Sequence, residues 1–160
     1  MNKITFSCLL LLCCLLFCAC GARNAQTILD CEELLNAVKD EILPTEGYSE
    51  YSSRDASYLL DLSGADDHCL AYSSSSDDMG EIGILRAPDS DTAKRLLDEV
   101  NDHLDDLRED KTEFVKRYMP NELKKLESAS AKRYGSYVAY AVLDTEAADR
   151  FFDSVSRRLK

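Results

Sequence analysis

Between Tyr137 and Leu143 the chain reads Tyr-Val-Ala-Tyr-Ala-Val-Leu, a segment with no polar face. Side chains alternate sides along a strand, so Tyr137, Ala139, Ala141 and Leu143 share one face while Val138, Tyr140 and Val142 share the other. Neither set is suited to water, so the strand must lie inside a sheet that is covered on both sides. If the two later helices share one face, the first helix must cover the other, or that face is a partner surface.

The rest of the sequence supplies those helices in a definite order. Cys31, Leu34, Leu35, Val38 and Ile42 recur at helical spacing, with Asp30 placed as N-cap and Pro44 just beyond the end. Gly47 to Ser57 is polar and reads as a surface connection, and Tyr58 to Leu62 as a helical turn. His68 to Ser75 and Glu81 to Ala87 flank Ser76-Asp-Asp-Met-Gly80, turn chemistry that predicts a β-hairpin. From Pro88 onward Ala93, Leu96, Leu97, Val100, Leu104 and Leu107 form one apolar stripe, the mark of a long amphipathic helix running toward Met119-Pro120. A short helix over Asn121 to Leu126 follows. Ser128 to Arg133 and Tyr137 to Leu143 flank Gly135-Ser136 as a second hairpin, and Thr145 to Leu159 returns to helix. Strands arriving in hairpins predict an α+β fold with an antiparallel sheet of about four strands and three main helices, in the order α-ββ-α-ββ-α.

The amino terminus reads as an address. Lys3 precedes an apolar run from Ile4 to Phe17, and Phe17-Cys18-Ala19-Cys20 forms a lipobox-like site. A spanning helix needs about 20 apolar residues, more than this run provides. The expectation is a signal peptide over 1–19, lipid attachment at Cys20 with a tether over 20–29, and a single domain over 30–160. Simple secretory cleavage after Ala22 is the competing reading. Two acyl chains on Cys20 would hold the protein stably on the extracytoplasmic face of the cell membrane.

Charge narrows the partners. The chain carries a formal net charge of -11, which disfavours nucleic acid. Residues 21–110 hold 7 Lys and Arg against 23 Asp and Glu, whereas 111–160 hold 11 against 7. A basic patch from Lys124, Lys125, Lys132, Arg133, Arg157, Arg158 and Lys160 could face anionic headgroups; a solvated mixed surface is the plainer reading.

Of the 7 cysteines, Cys8, Cys13, Cys14 and Cys18 fall in the signal and Cys20 takes the lipid. Cys31 and Cys69 remain, either paired in a disulfide or buried as free thiols. His68 and Cys69 are adjacent on a strand and point apart, which disfavours a catalytic dyad. Asp66 with His68 lacks a third metal ligand, and Glu99, His103 and Asp106 read as part of a solvated outer helix face. Ser75 and Asp78 sit in a polar loop without the context of an activated nucleophile. No catalytic residues, metal ligands or cofactor are assigned. Tyr48, Tyr51, Tyr72 and Tyr140 are the candidate binding surface, amphipathic rings suited to a protein or wall-glycan partner. A metal- or redox-linked accessory role through Cys31 and Cys69, or through the acidic helix, is the alternative.

Glu81-Ile-Gly-Ile-Leu-Arg-Ala-Pro-Asp89, followed by Phe114, Tyr118-Met-Pro120, Glu122, Lys125-Leu126 and Gly135-Ser-Tyr-Val138, resembles a family of small lipoproteins from Gram-positive, largely clostridial bacteria. That family is catalogued as domain of unknown function 4358. The resemblance implies a membrane-attached extracytoplasmic lipoprotein and lends no catalytic residues.

Overall fold

The computed structural model describes residues 28–43 and 47–160. The signal segment, Cys20 and Pro44 lie outside the described residues. Helix α1, Cys31–Ile42, starts where the sequence places it, because the Asp30 carboxylate accepts from the Glu32 and Glu33 amides at 3.0 and 3.1 Å. Strand β1, Tyr48–Glu50, and helix α2, Ser53–Leu59, then replace the expected surface connection. Ser52 caps α2 by accepting from the Asp55 amide and donating its hydroxyl to the Asp55 carboxylate.

Strands β2, Asp67–Ser73, and β3, Glu81–Arg86, form the first hairpin, and α3, Ser90–Tyr118, follows with Asp89 as its N-cap. Its 29 residues make it about 43 Å long. A 3₁₀ turn at Pro120–Glu122 leads into α4, Leu123–Ser128, and the second hairpin pairs β4, Ser130–Tyr134, with β5, Tyr137–Val142. Gly135 takes a φ of 64°, the left-handed conformation that a tight two-residue hairpin loop requires at its first position. Helix α5, Thr145–Arg158, closes the fold.

The sheet is antiparallel throughout and has five strands in the order β1-β2-β3-β5-β4. The α+β class and both hairpins agree with the sequence reading, and the strand count of about four is corrected by β1. Three residues with two polar side chains carry no readable alternation; Tyr48–Glu50 is a strand because it pairs with Ala71 to Ser73.

Two apolar layers sandwich the sheet. On one side Cys69, Ala71, Ile82, Ile84, Ala139 and Ala141 meet α1 and α5. On the other, Leu70, Leu85, Val138, Tyr140 and Val142 meet Ala93, Leu96, Val100 and Leu104 of α3 and Ala56 of α2. All six residues of β5 are buried, as its doubly apolar pattern demands. The first and last helices share a face, so the long helix and α5 lie on opposite sides of the sheet.

Candidate functional site

The register of β3 brings its only carboxylate, Glu81, opposite Tyr72 of β2 on one side and Val142 of β5 on the other. Glu81 points to the α3 face and is 7 % exposed. A carboxylate so placed is costly unless hydrogen bonds replace its water. One of its oxygens, Oε1, accepts from the Tyr140 hydroxyl at 2.8 Å and lies 3.0 Å from His103 Nε2; the other accepts from the Tyr51 hydroxyl at 3.3 Å. Burial first, and then the neighbouring Glu81 charge, push the Tyr51 and Tyr140 phenols well above their ordinary range, so both stay protonated donors.

Gly83 makes this cluster reachable. It stands opposite Tyr140, and a Cβ on it would fall within the Tyr140 ring. With no side chain in the way, the ring lies across β3 and its hydroxyl arrives at Glu81.

Tyr51 joins the buried cluster to the surface. Its ring stacks at a tilt on Tyr72, with centroids 4.6 Å apart, and both rings line an open cleft of about 370 Å³ with Glu50, Asp55, Tyr58 and Leu59. Tyr72 and Tyr58 are 40 % and 73 % exposed. The Arg54 guanidinium approaches the Tyr58 ring to 5.9 Å.

Of the four tyrosines singled out in the sequence, only Tyr51 and Tyr72 meet in a cleft. Tyr140 is fully buried, so its assignment to a binding surface is corrected: it is a core ring with a polar tip. Tyr48 packs against the opposite core, its hydroxyl seated against Gly80. Tyr58, Glu81 and His103 were missed as site residues. The Ser52-x-x-Asp55 spacing signals a helix start and would have put Tyr58 beside Tyr51. Glu81 is a lone carboxylate opening the apolar Ile82 to Leu85 run. His103 belongs to the buried side of α3, turned to Glu81, while Asp106 stays exposed on the outer face.

Cys31 and Cys69 are both free thiols buried in the same core cluster, the second of the two alternatives the sequence leaves open. Each is a packing residue. Burial, reinforced by Asp67, raises the Cys31 thiol far above its usual range; burial, with the Glu50 and Glu32 charges, pushes Cys69 up to about 12. No group of three or more His, Cys, Asp or Glu side chains among the described residues is arranged to hold a metal ion. Asp78 is clasped by Lys125 at 2.7 Å. Three cations of the basic patch are paired within the fold, Lys125 with Asp78 and Glu122, and Arg157 and Arg158 with Glu41, while Lys132 sits over the Phe152 ring.

No described helix is long and apolar enough to cross a membrane. Residues 50–143, more than half of the chain, match the family described as Domain of unknown function (DUF4358), and the chain belongs to that family. The matched span holds the cleft and the whole Glu81 cluster but leaves out α1 and α5. No curated protein and no solved structure matches the chain.

Proposed function

We propose that this member of the DUF4358 family is a non-catalytic binding module, held by lipid on Cys20 at the extracytoplasmic face of the cell membrane. The observation that carries the reading is the tyrosine-lined cleft formed by Tyr51, Tyr58 and Tyr72. Amphipathic rings on a rigid sheet and a capped helix give contact area at little entropic cost. Glu81 does not argue for catalysis, because both its oxygens are engaged by donors of the fold itself. A general base needs reach to a substrate proton, and this carboxylate faces inward.

The direction of the chain favours the same arrangement. Ile28 lines a small depression with Arg86, Pro88 and Ser136, at the Asp67–Arg86 end of the first hairpin. Tyr72 lies five residues along β2, about 17 Å toward the opposite end. Ile28 and the cleft therefore lie toward opposite ends of the first hairpin.

Two measurements test the proposal. Cells fed labelled fatty acid should yield the labelled chain, and Cys20→Ala should abolish the label. Solubilised envelope passed over the protein should leave a component retained by the wild type and lost by Tyr72→Ala. An unlabelled wild-type chain would sink the anchoring, and identical retention by the two proteins would sink the binding role.

A further inference from the structure

We infer that the cleft takes a small organic cation, a ligand with a quaternary or primary ammonium head. The inference rests on the reading of the chain as a binding module and names the ligand class for the same site. The lining residues are three tyrosines, Leu59 and the carboxylates of Glu50 and Asp55, with no cationic side chain among them. Aromatic faces attract cations through the ring quadrupole, and carboxylates at the rim add charge complementarity without competing for the ring face.

The buried cluster strengthens the case. Tyr51 donates its hydroxyl to Glu81 at 3.3 Å, which anchors the polar end of a ring that lines the cleft. Each carboxylate has one local donor. The Ser52 hydroxyl donates to Asp55 at 2.7 Å, and the Asn36 side-chain amide donates to Glu50 at 3.4 Å. One cation has already found the rim: Arg54, which donates to the Tyr58 hydroxyl while its guanidinium lies over that ring. A neutral ligand would use the rings and leave the two carboxylates of the lining without a role.

The chain has 8 tyrosines and no tryptophan, so its intrinsic emission is tyrosine emission to which the three cleft rings contribute. The test is a fluorescence titration of the full chain in non-ionic detergent with choline, ethanolamine, N-acetylglucosamine, and the uncharged isostere of choline in which carbon replaces nitrogen. Sodium chloride at matched ionic strength is the control. Choline is expected to saturate the signal and to bind about tenfold more tightly than its isostere. Tyr72→Ala should weaken choline by a similar factor, and Glu50→Gln with Asp55→Asn should weaken it further. Arg54→Gln, on the surface, should tighten it by removing a competing cation. If the isostere or the sugar binds as well as choline and Tyr72→Ala abolishes that binding, the ligand class is wrong while the binding module stands. If no probe changes the emission, or Arg54→Gln weakens choline, the cation site is overturned, and envelope retention alone then decides the broader reading.

Discussion

Gly83 of β3 and Tyr140 of β5 face each other across the sheet, and the Tyr140 ring fills the space that any side chain at position 83 would occupy. The pair couples backbone to chemistry, because the ring's position over β3 delivers the Tyr140 hydroxyl to Glu81 at 2.8 Å. A glycine inside a strand ordinarily weakens it. Here it allows a buried carboxylate to be hydrogen-bonded.

Gly83→Ala should therefore destabilise the protein by about 2 to 3 kcal/mol, from overpacking and from the loosened bond to a charged acceptor. Tyr140→Leu removes the ring that the new methyl would strike. The double variant should be less destabilised than the sum of the single ones, a coupling read from urea midpoints in a double-mutant cycle. Strict additivity would mean that the close approach has no energetic content.

The buried thiols and phenols set the alkaline limit of the fold. Cys69 is shifted from 9.0 to about 12, and Cys31, Tyr51 and Tyr140 are all raised. A raised pKa means that the folded state keeps protons which the unfolded chain gives up. The associated stability is complete below the unfolded values and is lost as pH climbs toward the folded ones. The urea midpoint should begin to fall above about pH 9, where an unfolded thiol ionises. A chromogenic thiol reagent should react with both cysteines only as fast as the protein opens. Fast labelling of the native protein at neutral pH would contradict the burial of Cys31 and Cys69.

Lys125 ties the first hairpin's turn to α4 through Asp78 at 2.7 Å and Glu122 at 3.0 Å. Burial works against charge on Asp78, but hydrogen bonds from Lys125 and the Gly80 amide outweigh it and hold the carboxyl below its ordinary value. Lys125→Met strands two partly buried carboxylates, and with solvent still in reach the loss should be about 1 to 2 kcal/mol. A depressed carboxyl contributes stability above its unfolded pKa and surrenders it as pH falls through the folded one. The difference between variant and wild type, measured by urea unfolding, should then shrink as pH falls below the ordinary aspartate range and through the lowered value of Asp78. A penalty independent of pH would assign the effect to packing by the lysine stem.

Legibility in the sequence followed periodicity. The apolar stripe of α3, the doubly apolar β5 and the turn residues of both hairpins were readable because each repeats over several turns or pairs. β1 was not, since three residues acquire strand identity only from a partner over twenty residues away. The tyrosine set was half readable. Tyr51 and Tyr72 share a face through strand pairing, whereas Tyr140 carries the same amphipathic chemistry into the core. Nothing local distinguishes the two fates; the register across β3 does. His103 looked solvated because its helical neighbours are acidic, but its angle on α3 places it over Glu81, a relation that only tertiary packing creates.

That contrast between rings gives a separation of roles. Tyr72 is 40 % exposed and its main partner is the Tyr51 ring, so Tyr72→Ala should lower stability by only about 1 kcal/mol, the worth of one exposed aromatic pair. Tyr140 is fully buried and holds Glu81, so Tyr140→Ala should lower it by about 4 kcal/mol from the cavity alone. Tyr140→Phe keeps the ring and deletes only the hydroxyl, isolating the hydrogen bond at about 2 kcal/mol. Urea unfolding gives the three stabilities, and choline titration of the same proteins gives affinity. Tyr72→Ala should lose affinity while remaining folded, and Tyr140→Phe should lose stability with its affinity nearly intact. Should Tyr140→Phe abolish binding in a folded protein while Tyr72→Ala leaves it unchanged, the site would lie inside the Glu81 cluster and not in the cleft outside it.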